Sequence, residues 1–366
     1  MSRSTEPRSP PDAEPAAWRG YARGPGTALT IGLLVLGAAL LARHLLQVDW
    51  TAMRRIIADM PASALLWAGL LSAASYAVYC CFDLLGKRTT GHALDRGRVA
   101  AIGFVSHACS LSLGPAGAGV RFRLAMRHGL PAHLVAALWL FNVASNWLGF
   151  MLIAGVAFAT RLFALPDTWE LGREALRWLG LALLAAVAGY LLACRFAHHR
   201  AWSVRGVSFS LPPVRVAALQ CSLSALNWLL IAGVVHVLLR GQASFEQVLG
   251  IVMASAVALA VIDVPAGLGV TEAVFFALLG SQIAPTELLG GLLAYRAIYF
   301  VVPLLLASIV YLLLEWDAHA LTGVDTTPRL LSRPAPSPPA RSRASPPAAL
   351  RPAPRRPSSG WRRSRS

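Results

Sequence analysis

The first chemical interpretation of this sequence comes from three ionisable side chains that lie in apolar stretches. Asp263 and Glu272 flank the turn of the segment VPAGLGV, and Arg296 follows Tyr295 within LLAYRAIYFVVPLL. Ionisable side chains in lipid are costly and usually face a partner or a cavity. We therefore predict a buried pair between Arg296 and either Glu272 or Asp263. Such a pair would form a substrate-binding site or a gate, and simple structural stabilisation is the alternative.

Two further arginines, Arg121 and Arg123, directly follow the segment GPAGAGV. A guanidinium group can hold a phosphate through two parallel hydrogen bonds, so this pair could bind a phosphorylated headgroup. The alternative is that both arginines only mark the cytoplasmic side of the membrane, where basic residues are enriched.

Polar residues also recur on one face of the apolar stretch 132–160. These residues are Asn142, Ser145 and Asn146. We expect this face to line an interface between helices and to include Asn146 in the candidate site. For Asn142 we favour interhelical hydrogen bonding over substrate contact.

Signatures of enzyme classes are thin in this sequence. GPAGAGV lacks the Gly-Lys-Ser/Thr ending of a phosphate loop, and neither His-Glu-X-X-His nor Gly-X-Ser-X-Gly occurs. His107 has no second ligand at metal spacing, so we expect it to pack or to form a hydrogen bond. We predict no enzymatic activity, no catalytic residue, no metal and no cofactor.

Composition indicates a membrane protein. Hydrophobic residues make up 56% of the 366 residues, charged residues make up 14%, and the mean hydropathy is +0.57, which exceeds what a soluble core requires. The net charge of +16 could suggest nucleic-acid binding, but ten arginines lie after Asp325 in a Pro-, Arg- and Ser-rich tail. We expect that tail to be disordered, cytoplasmic and in contact with anionic headgroups, without binding nucleic acid.

Helical elements of membrane length must position these residues. Six apolar stretches are near the ~20 residues that cross a bilayer, at 28–46, 62–86, 132–160, 176–197, 215–239 and 288–314. Two further blocks, 99–119 and 247–281, contain the Gly- and Pro-rich segments and cannot form regular helices. We place the tail and four basic stretches, at 3–23, 87–98, 121–127 and 195–215, in the cytoplasm, with Arg54 and Arg55 as the exception. This placement requires that each block enter the membrane and return to the same face.

An internal repeat follows from the two Gly-rich segments. The turn residues Pro115, Gly117 and Gly119 recur 150 residues later as Pro265, Gly267 and Gly269. The predicted fold is an all-α polytopic membrane protein with six crossing helices and two re-entrant hairpins, arranged as two inverted-topology repeats. The predicted division is a polar cytoplasmic leader (1–27), a membrane domain (28–315, with repeats 28–160 and 176–314) and the tail (316–366).

Three segments together resemble a known family. GPAGAGVRFRLAMRHGL, VPAGLGVTEAVFFALLG and AYRAIYFVVPLLL resemble the hallmark segments of the lysylphosphatidylglycerol synthase transmembrane-region family, also called the flippase-like domain family. The resemblance covers residues 28–315 and implies a multi-pass protein of the bacterial cytoplasmic membrane. In two-domain members, the membrane part is taken to flip the aminoacylated phospholipid that a soluble transferase makes. The sequence resembles stand-alone members, so synthase activity is not implied.

Two functional hypotheses follow from these expectations. The favoured one is a flippase or transporter of a lipid or lipid-linked substrate, with its site between the two hairpins and both termini in the cytoplasm. We expect the partner to be a membrane lipid, specifically an anionic phospholipid. The alternative is a non-transporting membrane subunit that organises or regulates a lipid-handling partner, such as a separate lipid-modifying enzyme. An intramembrane enzyme is the third choice.

Overall fold

A computed structural model describes residue 55 and residues 58–114, 116–162, 170–197, 201–204, 207–261 and 269–323. Within these ranges the chain is helical apart from one short β-hairpin. Several predictions lie outside the described residues. These are the leader, the span 28–46, most of the tail, the turn residues Pro115, Pro265 and Gly267, and the carboxylate Asp263.

The helices follow the apolar blocks of the sequence. In chain order they are α1 (Ala62–Thr90), α2 (Arg96–Leu113), α3 (Ala116–Arg127), α4 (Ala132–Ala159), α5 (Glu170–Phe196), α6 (Val214–Leu238), α7 (Phe245–Val261), α8 (Val270–Leu279), α9 (Pro285–Arg296) and α10 (Val302–Gly323). A five-residue π-helical turn, Ala297–Val301, joins α9 to α10. The strands β1 (Ala201–Val204) and β2 (Val207–Ser210) pair in antiparallel register and were not predicted.

Five helical stretches are long and apolar enough to cross a membrane. They are Ala62–Thr90, Ala132–Ala159, Glu174–Phe196, Val214–Leu238 and Pro285–Ala318. These stretches confirm five of the six predicted spans. Large apolar side chains point outward along them, and Trp67, Trp178 and Trp316 are exposed near helix ends. Exposed apolar faces with aromatic residues near the ends are typical of helices in lipid.

Proline and aspartate set where several helices begin. α1, α4 and α6 each start directly after a proline, at Pro61, Pro131 and Pro213. α2 starts after Asp95, whose carboxylate accepts hydrogen bonds from the amides of Gly97 (2.7 Å) and Arg98 (3.4 Å). These hydrogen bonds satisfy amides that have no partner inside the helix, and they lower the pKa of Asp95 below its usual value.

The Gly-rich segments interrupt the helices as predicted. Gly114, which ends α2, has a φ of +59°. A Cβ atom at Gly117 would overlap the backbone of Ser110, so α3 can approach α2 this closely only with glycine there. In the second half, Gly269 has a φ of +79° and immediately precedes α8.

Helices from the two halves of the chain pack against one another. α1 lies along α6, and α4 packs against both α5 and α6. A Cβ atom at Gly149 of α4 would overlap Ser224 of α6, so glycine permits this close contact. α1 and α6 occupy corresponding positions of the predicted repeat. The packing therefore brings together two helices that the predicted repeat treats as equivalent.

Candidate functional site

Glu272 and Arg296 form a two-bonded ion pair in the second half of the chain. Arg296 Nη2 donates to Glu272 Oε2 at 2.8 Å, and Arg296 Nε donates to Glu272 Oε1. Arg296 is 8% exposed. The predicted contact between these residues is therefore confirmed, whereas the proposed contribution of Asp263 lies outside the described residues.

Local structure fixes both partners of this ion pair. Glu272 lies in the first turn of α8, and its Oε2 also accepts a hydrogen bond from the amide of Gly269 at 3.0 Å. A carboxylate in this position is stabilised by the unpaired amides at the start of a helix. Arg296 lies at the end of α9, and its guanidinium carbon is 5.9 Å from the centroid of the Phe300 ring. The ion pair thus joins a short helix to a spanning helix.

The π-helical turn after Arg296 supplies buried polar groups that bond to α1. The hydroxyl of Tyr76 donates to the carbonyl of Tyr299 at 3.0 Å. The Tyr299 hydroxyl lies 2.7 Å from Ser75 Oγ, which in turn donates to Asn227 Oδ1 at 2.7 Å. Tyr295, another predicted site residue, stacks on the Tyr299 ring with centroids 5.4 Å apart. The ion pair therefore adjoins a buried hydrogen-bond network between α1, α6 and the π-helical turn.

A second buried ion pair lies in the first half, between Arg121 of α3 and Asp83 of α1. Arg121 Nη1 donates to Asp83 Oδ1, and Arg121 Nη2 donates to Asp83 Oδ2 at 3.2 Å. Asn142 of α4 adds a 2.7 Å hydrogen bond to Asp83 Oδ1. Asp83 and Arg121 are 5% and 6% exposed. A side chain at Gly103 would collide with the Asp83 carboxylate, so glycine makes room for it.

A cavity of about 20 Å³ lies beside this ion pair and is lined in part by Asp83, Arg121 and His92. That volume suffices for about one water molecule. Within the described part of the chain, neither ring nitrogen of His92 has a hydrogen-bond partner. Burial and the nearby Lys87 lower the pKa of His92, so its imidazole is neutral at pH 7.

Arg123 contacts α10 instead of the carboxylate that pairs with Arg121. Arg123 Nε donates to Glu315 Oε1 at 2.7 Å, and Tyr311 donates to the same oxygen at 3.1 Å. Arg98 of α2 lies 2.9 Å from Asp317 in the same region. The two arginines predicted to share a phosphate thus contact different carboxylates.

The polar face predicted on α4 does lie against other helices. Besides the contact of Asn142 with Asp83, Gln220 Nε2 of α6 donates to Ser145 Oγ at 2.8 Å. The backbone carbonyl of Asn146 accepts hydrogen bonds from Ser224 (2.9 Å) and Trp228 (3.2 Å). These contacts confirm the interhelical hydrogen bonding that was favoured for Asn142.

Aromatic rings connect the two ion pairs. His107 of α2 stacks on Tyr79 of α1 with ring centroids 3.4 Å apart, and it meets the edge of Tyr76 at 5.1 Å. Tyr76 contacts Tyr299 at 5.5 Å. The packing role predicted for His107 is confirmed, although its Nε2 has no hydrogen-bond partner among the described residues. A chain of ring contacts therefore runs from Tyr299, three residues after Arg296, to Tyr79, one helical turn before Asp83.

Sequence reasoning missed Asp83, although a signal was present. Asp83 is the only charged residue between Pro61 and Gly86, within a predicted crossing helix. A lone carboxylate in such a stretch needs a partner by the same argument that selected Arg296. Ser75, Asn227 and Tyr299 had weaker signals, because hydroxyl and amide side chains are common in membrane helices.

The fold and its buried charges define a multi-pass helical membrane protein with ion pairs in its interior. The sequence model of the family described as "Lysylphosphatidylglycerol synthase TM region" matches residues 29–307, and the chain belongs to that family. It is 38% identical over 285 residues to Inner membrane protein YbhN of Escherichia coli (strain K12), covering 77% of this chain and 90% of YbhN. It is 29% identical over 302 residues to the uncharacterized protein slr0712 of Synechocystis, covering 80% of this chain and 92% of that protein.

Proposed function

We propose that this protein moves a phospholipid or lipid-linked substrate across the membrane through the region between its two ion pairs. The observation that carries the proposal is the presence of one buried, two-bonded Arg–carboxylate pair in each half. Burying charge in a membrane protein is costly, and such charges usually mark a substrate or ion pathway. We further propose that the protein has no enzymatic activity of its own.

The proposed architecture has six crossings and two re-entrant hairpins, α2–α3 and α7–α8, in two inverted repeats. α3 has 12 residues and α8 has 10, so they extend about 18 and 15 Å, less than the ~30 Å hydrocarbon core. Adding the 150-residue offset to α1 gives 212–240, close to α6 at Val214–Leu238. With this arrangement both termini lie in the cytoplasm, and we propose that the membrane is the bacterial inner membrane.

Headgroup chemistry suits these ion pairs. The phosphate of a lipid can compete with a carboxylate for a guanidinium, and an amine can compete with a guanidinium for a carboxylate. Each exchange would release a short helix, α3 or α8, from the spanning helix that its ion pair holds. A headgroup could thus replace one partner without leaving a charge unpaired. An anionic phospholipid is among the proposed substrates because Arg121 and Arg123 directly follow the first Gly-rich segment in the sequence.

Headgroup-resolved lipid movement in vesicles that contain the purified protein would test this proposal. We expect the wild-type protein to accelerate movement of at least one phospholipid class, and Arg296→Met with Glu272→Gln to abolish it. The matched control is the exposed pair Arg161–Glu174, whose side chains are 49% and 59% exposed. Neutralising that pair should leave lipid movement unchanged. Equal lipid movement in vesicles with and without the wild-type protein would contradict the proposal.

A second candidate is a non-transporting subunit that organises a lipid-handling partner. The specific observation in its favour is that both ion pairs are closed and that the cavity beside Asp83 holds only about 20 Å³. In that case the ion pairs act only as structural contacts. A double variant that neutralises both Glu272 and Arg296 would then keep the function of the partner complex.

A further inference from the structure

A cleft at one end of the helix bundle contains charged side chains that belong to neither ion pair. It has a volume of about 190 Å³ and lies where α6 ends, α9 begins and the chain approaches α1. Asp59, Arg240 and Glu287 provide its charges, and its apolar lining includes Met60, Leu238 and Leu239. The cleft therefore combines an apolar wall with both signs of charge.

The three charges lie at the depth of lipid headgroups. Asp59 is three residues before α1, Arg240 is two residues after α6, and Glu287 is in the first turn of α9. Each of these helices belongs to a stretch long enough to cross the membrane. The ends of such stretches lie where the hydrocarbon core meets the polar headgroup layer. A molecule in the cleft would thus be a headgroup whose acyl chains remain in the bilayer.

The backbone presents Arg240 in an unusual conformation. Its φ is +56°, and Gly241 continues with a φ of +75°. Arg161 has the same conformation after α4, with a φ of +55°, and its guanidinium contacts Glu174. Among the described residues, by contrast, no carboxylate lies within ion-pair distance of Arg240. Its guanidinium is therefore available to an anionic group.

The two carboxylates of the cleft have spare hydrogen-bonding capacity. Gln242 Nε2 donates to Glu287 Oε2 at 2.6 Å, which leaves Glu287 Oε1 for another donor. Within the described ranges, the Asp59 carboxylate has no ion-pair partner. Two carboxylates and one guanidinium give the lining a net charge of −1. Such a lining repels a purely anionic headgroup and matches one that carries a phosphate and a primary ammonium group.

We infer that this cleft binds the phosphoethanolamine headgroup of a membrane phospholipid. The phosphate binds Arg240, and the ammonium group donates to Glu287 and Asp59. The cleft is smaller than the ~300–1,000 Å³ pockets that enclose drug-sized ligands, so it suits a headgroup better than a whole lipid. Arg296 lies nine residues beyond Glu287, about 13 Å along the same helix. We take the lipid that binds in this cleft to be the one that is translocated, and this step rests on the proposed function.

Equilibrium binding of short-chain lipids to the purified full chain in detergent tests the inference. The probes are dihexanoyl phosphatidylethanolamine, phosphatidylglycerol and phosphatidylcholine, with Kd measured by microscale thermophoresis. We expect the ethanolamine lipid to bind about tenfold more tightly than the other two, because only its headgroup offers ammonium N–H donors. Glu287→Gln and Arg240→Gln should each weaken its binding about tenfold. Glu246→Gln, at an exposed carboxylate outside the cleft lining, should leave its binding unchanged.

Three results with the short-chain lipids would overturn the inference. They are equal Kd values for the three lipids, tighter binding of phosphatidylglycerol, and unchanged binding in Glu287→Gln. Free phosphoethanolamine that binds as tightly as the lipid would instead assign a soluble ligand and also overturn it. The vesicle assay keeps the two proposals apart. Selective binding without lipid movement would support the headgroup site and contradict the proposed lipid transport. Lipid movement with unselective binding would support the transport and contradict the headgroup site.

Discussion

The two buried ion pairs each join a short helix to a spanning helix, but the signs of charge on the two helices are exchanged between the halves. In the first half the short helix α3 carries the cation, Arg121, and the spanning helix carries the carboxylate, Asp83. In the second half the short helix α8 carries the carboxylate, Glu272, and the spanning helix carries the cation, Arg296. Both arginines donate two hydrogen bonds, which fixes the direction of each contact as well as its distance.

Neutralising one member of the ion pair between Glu272 and Arg296 should strongly destabilise the protein. Glu272→Gln removes the carboxylate to which Arg296 donates two hydrogen bonds, and Arg296→Met removes the guanidinium that pairs with Glu272, each at a cost of about 3–5 kcal/mol for a buried pair. The double variant should recover stability, because neither charge is then stranded, but it should not recover lipid movement. A double-mutant cycle on the melting temperature in detergent checks the first expectation. Additive effects on stability would show that the two side chains do not interact.

The carboxylate of Asp95 should make the start of α2 sensitive to acid. Its pKa is lowered by the hydrogen bonds from the amides of Gly97 and Arg98. A lowered pKa means that the stabilisation is complete above the unfolded value of about 3.9 and is lost as the pH falls through the folded value. We therefore expect the melting temperature of the wild type to fall below about pH 4 relative to that of Asp95→Asn. Asparagine still accepts these hydrogen bonds but does not titrate, so parallel melting curves would contradict this expectation.

At the scale of elements, the π-helical turn explains how α1 is held against the last helix. Pro303 has no N–H group to donate to the carbonyl of Tyr299, four residues earlier, and its ring would clash with that carbonyl in a regular helix. The wider π-helical turn lies just before this proline, and the hydroxyl of Tyr76 donates to the Tyr299 carbonyl instead. Such turns are often found at functional sites.

This relation predicts that Tyr76 and Pro303 are coupled. Tyr76→Phe should destabilise the protein by about 1 kcal/mol, because the carbonyl of Tyr299 loses its donor. In a Pro303→Ala background the new amide can donate to that carbonyl, so the same substitution should cost measurably less. Unfolding in denaturant of the four proteins gives the coupling free energy. Equal costs in both backgrounds would mean that Pro303 does not determine this contact.

The sequence predicted the membrane-spanning stretches more successfully than the contacts between the helices. Five crossing stretches were located within a few residues, because composition over about 20 residues decides membrane insertion. The contact of Glu272 with Arg296 was predictable, because both charges are isolated in apolar surroundings. The partner of Arg121 was not predicted, since Asp83 lies 38 residues away and periodicity does not reveal which helix faces meet. The π-helical turn depends on how Pro303 is accommodated, which composition does not reveal.

At the scale of the whole molecule, close packing between the two halves sets the relative position of the ion pairs. α4 carries Asn142, which contacts Asp83, and it also meets α6 through Gly149 and Ser224. α6 in turn carries Asn227, which belongs to the network at Tyr299. The α4–α6 contact is therefore common to the surroundings of both pairs.

Replacing the glycine at this contact with a larger residue should weaken the packing between the two halves. Gly149→Ala places a Cβ atom against Ser224, and we expect a destabilisation of about 1–3 kcal/mol from overpacking. Gly69→Ala in α1 is the matched control, because nothing lies within 4 Å of the added atom. It should be neutral or slightly stabilising, since alanine favours a helix more than glycine does. Thermal melting of the two variants in the same detergent gives the comparison, and equal shifts would argue against a tight α4–α6 contact.

The opposite charges of α3 and α8 have an electrical consequence. A displacement that carries both helices the same way along the membrane normal moves the three arginine charges of α3 and the one carboxylate charge of α8, which is a net charge of +2. The membrane potential does about 2.3 kcal/mol of work per elementary charge per 100 mV. Displacement of the two helices in opposite directions is equivalent to moving four charges the same way and produces a larger capacitive current. Electrical recording can therefore distinguish concerted from alternating motion of these two helices without any label on the lipid.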